Sequence, residues 1–280
     1  MPAEVTKTFA TRFAETRAAR GPLVWGLDPS GKLLEDWGLG DTPDGLDRFA
    51  DLVVPVAAES IGLVKPQSAF YERHGWRGLR TLTRLTAQAR AAGLLVILDV
   101  KRGDVGSTND AYAQAYLSKD APFDVDAITV HPYLGLGAMG AFVDRAHESG
   151  RGLLVVTRSS NPEGRPIQAA RSEHGTVEET VLRDIGRLNA ELAPGEIGPI
   201  GAVVAPSARL PELPLAETNG LFLAPGVGAQ GYTPADVAET FAACPDRVMP
   251  SASRSLLAAG PDPARLRDAV TAMAAQFAVP

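Results

Sequence analysis

The chain has 280 residues, 45% of them hydrophobic and 21% charged, with a formal net charge of −6. No Lys/Arg block stands out, which argues against a nucleic-acid partner. The lone Cys244 excludes an internal disulfide and suits a reducing compartment, and no apolar run approaches the ~18 residues of a membrane span.

The first segment, MPAEVTKTFATRFAETRAARG, mixes charges at helical spacing and lacks the apolar stretch of a secretory signal. It predicts a helix over about 3–20 and a cytoplasmic protein. Eight apolar, β-branched runs follow. They are LVWGLD near 23–28, IGLVK near 61–65, LLVILDV near 94–100, VDAITV near 125–130, LLVVT near 153–157, IGAVVA near 200–205, LFLAPG near 221–226 and DRVMPS near 246–251. Continuous runs of this kind suit strands buried on both faces, as in a parallel sheet. Amphipathic helical stretches separate most of them, such as GLDRFADLVVPVAAES, RGLRTLTRLTAQARAAG, TNDAYAQAYLSKD, VEETVLRDIGRLNAEL and TPADVAETFAAC. DPARLRDAVTAMAAQFA closes the chain. Eight βα repeats predict an α/β fold, a (β/α)8 TIM barrel, as one domain over 1–280. The Pro-rich stretch 194–214 resembles a linker but contains the sixth strand.

A barrel of this kind works at the C-terminal ends of its strands. Polar residues gather there: Asp28, Lys65, Asp99 with Lys101, His131, Thr157, and a glycine loop after Pro225. Asp99 and Lys101 are two apart on an extended chain and so share a face, from which Lys65 on the second strand is in reach. A solvated, inert strand end is the plain alternative for each residue alone. For Asp28, Lys65, Asp99, Lys101 and Asp104 together, an array of alternating sign also solves the burial problem. PGVGAQG (225–231) contains a formal G-x-G-x-x-G, but it follows the seventh strand, not the first, so the dinucleotide reading fails. Loops at this place in barrels bind phosphate through backbone N–H groups, and Arg254 after the eighth strand adds a cation. The loop TRSSNPEGRPIQAARSEHG, with its polar Gly and Pro composition, reads as a lid over 158–175, a disordered surface loop being the alternative. The four histidines are scattered without zinc spacing, and His131 reads first as a packed residue. Trp25, Trp37 and Trp76 read as core or loop packing.

With these residues in hand, the chain resembles the orotidine 5′-phosphate decarboxylase family, in its longer bacterial branch (type 2). DVKRGDVGST carries the D-x-K-x-x-D signature with a threonine four residues later, and GLDPS, VKPQSAFYERHG, PGVGAQG and the arginine after strand 8 complete the pattern. The resemblance implies cofactor-free and metal-free conversion of orotidine 5′-phosphate to UMP and CO2, the last step of de novo pyrimidine biosynthesis, in a homodimer with shared sites. It implies that Lys101 protonates C6 and Asp99 faces the departing carboxylate. Lys65 and Asp28 hold the ribose hydroxyls and order the array, and Asp104 and Thr108 cross to the neighbouring subunit. Ser160 reads the pyrimidine edge (with Ser159 the competing choice), while Gln230 and Arg254, beside Pro225, grip the phosphate. VVAPSA after strand 6 departs from the branch's pattern. The rival readings are a Mg²⁺-dependent sugar-phosphate decarboxylase or aldolase of the same superfamily, and a non-catalytic nucleotide-binding barrel.

Overall fold

The structure is a computed structural model that describes residues 7–207 and 213–277. Eight strands close into one parallel barrel: β1 Val24–Leu27, β2 Leu63–Pro66, β3 Leu95–Arg102, β4 Ala127–Val130, β5 Gly152–Arg158, β6 Ile200–Val204, β7 Phe222–Pro225 and β8 Val248–Ala252. Each pairs with its neighbour in sequence, and β8 returns to β1 through Val24 opposite Ser251. Every predicted run supplies a strand, including the one inside the Pro-rich 194–214 stretch.

Why the runs are continuous rather than alternating is visible in the core. Val24, Leu63, Leu95, Ile97, Ala127, Leu154, Val156, Val203, Leu223 and Met249 pack together inside the barrel. Their sequence neighbours, such as Trp25, Val64, Val96, Leu98, Ile128, Leu153, Val155, Ala202 and Phe222, pack outward with the helices. A strand covered on both faces needs an apolar residue at every position. The outer layer includes helices Pro43–Ser60, Gly75–Ala91, Gly106–Leu117, Gly140–Ser149, Val177–Leu192 and Pro263–Ala275. Gly140–Ser149 was not among the stretches singled out above; Gly150 closes it in the left-handed region.

The first helix runs Phe9–Arg20, with Thr8 capping it through a bond from the Thr11 N–H at 3.2 Å. The expected start near residue 3 falls partly outside the described residues. Phe9 and Phe13, one turn apart, insert into the inner cluster and plug the N-terminal mouth of the barrel. Burying each contributes about 1.5–3 kcal/mol. Trp25 and Trp37 are buried as expected, whereas Trp76 is 69% exposed. Among the described residues no helix is long and apolar enough to cross a membrane.

Candidate active site

The inner faces of β1–β4 and β8 are apolar at the bottom and turn polar at the top without changing parity. Val24 and Gly26 lead to Asp28, Leu63 to Lys65 and Gln67, Ile97 to Asp99, Ala127 to Thr129, and Met249 to Ser251. These residues line a cavity of about 320 Å³ at the C-terminal ends of the strands. Val156, Val203 and Leu223, from the inner apolar layer, also line it.

Asp99, 7% exposed, stands at the centre. Its Oδ1 accepts from Lys101 Nζ at 2.5 Å and from Thr129 Oγ1 at 2.7 Å. Its Oδ2 accepts from Lys65 Nζ at 3.0 Å and from Gln67 Nε2 at 3.3 Å. Burial by itself would raise this carboxyl, but the charges of Lys65 and Lys101, with hydrogen bonds from Lys101 and Thr129, outweigh it and hold the group below the usual carboxylate range. For Lys65 burial opposes the charge, yet Asp99 and Asp28 raise it above its ordinary value. Asp28 lines the same cavity, and its Oδ1 is buried without a hydrogen-bond partner among the described residues.

Lys101 reaches Asp99 by a different route from the one expected. The strand does not stay extended: Lys101 has φ of +46°, in the left-handed region. The β3–β4 register slips there, so that Arg102 rather than Val100 lies opposite Val130. Such a bulge re-aims a side chain at a strand end. Asp99 and Lys101 share the cavity, but through this kink.

The structure leaves four expected residues outside the cavity: Asp104, Thr108, Thr157 and His131. Asp104 and the exposed Thr108 do not line it. Asp104 Oδ1 accepts the N–H of Val105, at 2.8 Å, and its backbone N–H donates to Asn109 Oδ1 at 2.9 Å. Thr157 has the outward parity and is buried, donating to Val155 O at 3.1 Å. His131 is exposed rather than packed in the core; burial and then the charge of Lys101 lower its pKa.

Ser159 and Ser160 both line the cavity but are held differently. Ser159 is tied back to Gln168, whose Nε2 donates to Ser159 Oγ at 2.8 Å. Ser160 Oγ accepts from Gln230 Nε2 at 3.0 Å, joining the loop after β5 to the glycine loop after β7. The loop over 158–175 is not structureless: it holds a turn of helix at Arg165–Gln168 and a two-stranded ribbon pairing Arg171–Ser172 with Gly175–Thr176. Its root is a buried ion cluster, in which Arg158 and Arg165 both donate to Glu178.

The glycine loop corrects one expectation. Gly226, Gly228 and Gly231 have φ of 96°, 75° and 86°, and a Cβ on Gly226 would sit 2.3 Å from Gln230 Oε1. The tight turn this permits uses its own donors: the N–H groups of Val227, Gly228, Ala229, Gln230 and Gly231 bond to Ser251, Tyr232, Val227, Gly226 and Gly228 carbonyls. These backbone donors are therefore not free for an anion. What the loop offers the cavity is Pro225, the Gln230 side chain and, from the following strand end, Arg254, for which no ion pair is found among the described residues. In the 203–208 loop, Val203 lines the cavity and Ser207 N bonds to Thr240 Oγ1 at 3.1 Å; position 208 lies outside the described residues.

Gln67, Thr129 and Ser251 had not been singled out from the sequence. Parity would have found them, since each continues an inward-facing apolar series.

Comparison with known proteins finds similar chains over nearly the full length. Residues 21–269 match the model of the Orotidine 5′-phosphate decarboxylase / HUMPS family. The chain is 48% identical over 264 residues to the orotidine 5′-phosphate decarboxylase of Salinispora arenicola, covering 94% of each chain. It is 46% identical over 272 residues to that of Streptomyces coelicolor, covering 96% of each. Among solved structures, a candidate orotidine 5′-phosphate decarboxylase from Streptomyces avermitilis superposes with a TM-score of 0.92 at 44% identity, over 99% of this chain and 97% of that one. The Leishmania donovani OMP decarboxylase superposes with a TM-score of 0.72 at 25% identity, over 97% of this chain and 100% of that one.

Proposed function

The chain belongs to the orotidine 5′-phosphate decarboxylase family, and from that premise we infer that it converts orotidine 5′-phosphate to UMP and CO2 in pyrimidine biosynthesis. The observation that carries the residue assignments is the Lys65–Asp99–Lys101 cluster at the floor of the cavity, opposite a separate anion grip at Gln230 and Arg254.

Loss of CO2 from C6 leaves a carbanion with no conjugated electron sink. A fixed cation where that charge develops stabilises the transition state, and Lys101 is held in place by Asp99 to be that cation. It then donates its proton to C6, so no separate acid is required. Asp99 lies against the departing carboxylate. At ~4 Å and an effective dielectric near 20 their repulsion is of order 4 kcal/mol, and it vanishes as neutral CO2 forms. Lys65 keeps Asp99 ionised and, with Asp28, holds the ribose hydroxyls. Ser160 reads the pyrimidine edge, supported by its bond to Gln230 of the phosphate grip, whereas the Ser159 hydroxyl is held by Gln168 of its own loop. Gln230 and Arg254 bind the phosphate, with Pro225 shaping the wall beside them. Binding energy from that remote group offsets the desolvation of the array and closes the 158–175 loop over it.

The functional unit is a homodimer in the cytoplasm, with Asp104 and Thr108 delivered to the partner's cavity. Support comes from where they sit: Val105, Tyr133 and Leu134, 55%, 81% and 52% exposed, lie on the same two loops, which Asn109 ties together by donating to Ala138 O at 2.7 Å. Such exposed apolar residues mark a surface that another chain covers.

The test is turnover of orotidine 5′-phosphate by the pure protein in EDTA, followed by loss of the orotate absorbance. Absence of turnover overturns the assignment, tight UMP binding without turnover makes it a scaffold, and sensitivity to the chelator points to a Mg²⁺-dependent relative. In the same assay, mixing inactive Lys101→Ala and Asp104→Ala proteins restores activity if sites are shared. No rescue in verified heterodimers rules sharing out.

A further inference from the structure

Lys101 is the residue on which the proposed chemistry turns, and it is held in a backbone conformation that non-glycine residues avoid, at φ +46°. Something must hold it there. Its side chain is fixed by Asp99, but the side chain of a lysine, with four rotatable bonds, does not by itself determine the φ of its own backbone. Beside the strand pairing of Arg102 with Val130, one side chain reaches that backbone directly: the Lys101 N–H donates to Thr129 Oγ1 at 3.0 Å.

That hydroxyl makes two bonds with one proton. It accepts from the Lys101 N–H, so its own hydrogen goes to Asp99 Oδ1 at 2.7 Å. The direction of the second bond requires Asp99 to be an acceptor, which the ionised carboxylate is. Thr129 is itself 1% exposed and faces inward near the C-terminal end of β4. One buried hydroxyl thus ties the Asp99 carboxylate to the kinked backbone of the D-x-K segment across the slipped β3–β4 register.

We propose that Thr129 is a positioning residue for decarboxylation, one that acts through Lys101 and Asp99 by bonding the kinked backbone of the first and the carboxylate of the second. The inference rests on the reading of Lys101 and Asp99 given above. Gln67 does not duplicate it, because its bond to Asp99 Oδ2 at 3.3 Å makes no contact with the Lys101 backbone. Loss of the hydroxyl frees the Lys101 N–H and removes one of the two donors on Asp99 Oδ1, leaving Lys101 Nζ, and a misplacement of the proton donor by ~1 Å costs about 10²-fold in rate.

Steady-state kinetics of wild type, Thr129→Val and Thr129→Ser test this, with thermal unfolding of each. Valine keeps the shape and removes both bonds; serine restores the hydroxyl. The expected result is kcat lower by about 10²-fold in Thr129→Val with KM within a few-fold, and recovery to within about fivefold in Thr129→Ser. The acid limb of the kcat profile moves to higher pH in Thr129→Val, since Asp99 loses a donor that favours its charged form. Should Thr129→Val not fold, Thr129→Ala takes its place. Val (or Ala) kcat within threefold of wild type, a change in KM alone, or a serine variant as impaired as valine overturns the proposal. An inactive wild type overturns the decarboxylase reading instead, so the two failures are distinct.

Discussion

Two carboxylates in this barrel each stand between two cations, and the two triads are built for different ends. Asp99 is flanked by Lys65 and Lys101; Glu178 is flanked by Arg158 and Arg165. Both carboxylates are buried, and both are held ionised against the cost of burial. The cations differ. Arg158 grips both oxygens of Glu178 at 2.8 Å each in a fork that cannot give up a proton, and the pair is sealed at 2% exposure on either side. The Lys101 side chain is 39% exposed and opens to the cavity. An ammonium there is a point charge that can also donate a proton. Position follows the same division. The register shift in β5 puts Arg158 opposite the outward-facing Val204, so its triad sits between barrel and helix and anchors the root of the loop carrying Ser159 and Ser160. The β3 shift turns Lys101 into the cavity.

If the division is right, removing one member of each triad has opposite signatures. Lys101→Ala is the larger: loss of the charge and the proton donor together lowers activity by about 10⁴-fold or more, while Asp99 keeps Lys65 and the fold survives. Activity within tenfold of wild type, measured on protein with an unchanged far-UV spectrum, would refute the role of Lys101.

Glu178→Gln is next and reads out in stability. It leaves Arg158 buried against a neutral amide, and breaking a buried pair in this way costs about 3–5 kcal/mol. For a chain of this size each kcal/mol moves Tm by about 2–4 °C, so calorimetry should show a drop of about 6–20 °C. Turnover at 25 °C changes far less than in Lys101→Ala. A Glu178→Gln protein with wild-type Tm but no activity would reverse the comparison and make the sealed triad part of the chemistry.

The two triads also differ in how far sequence could reveal them. Asp99 and Lys101 are two residues apart at the end of an apolar run, and once eight such runs imply a barrel, the ends of the runs imply the site. The strands were legible because burial on both faces leaves no polar residue to interrupt them. Arg158 and Glu178 are separated by a loop, a ribbon and a bulge, and Glu178 looks in sequence like any acidic residue in the first turn of a helix. Nothing local pairs them. Thr129 is an intermediate case: its inward parity follows from Ala127, but its double bond depends on the kink at Lys101, which no pattern of residue types announces. The glycines after β7 were legible as a tight turn, yet a turn that tight consumes its own N–H groups, and only the coordinates of its hydrogen bonds show that the side chains are left to bind.

The smallest effect, and the sharpest on the ionisation argument, is in pH. Burial opposes the charge on Glu178, but bonds and charges of Arg158 and then Arg165 lower its pKa, as Lys65 and Lys101 lower that of Asp99. In the unfolded chain these carboxyls titrate near about 4.3 and about 3.9. The folded state therefore binds their protons more weakly, and the stability they contribute is fully present above about pH 5 and lost as pH falls through the folded pKa values. Lys65, raised when folded, sets the opposite limit, its contribution declining only as pH rises beyond about 10.5. Between about pH 5.5 and 10 the Tm difference between wild type and Glu178→Gln should accordingly stay constant. Below about pH 4 it should narrow, because wild type must now protonate Glu178 while the glutamine has nothing to lose. A difference that keeps its full width down to pH 3 would mean that the glutamine fails by shape rather than by charge, and the sealed triad would then be a packing device whose ions happen to match.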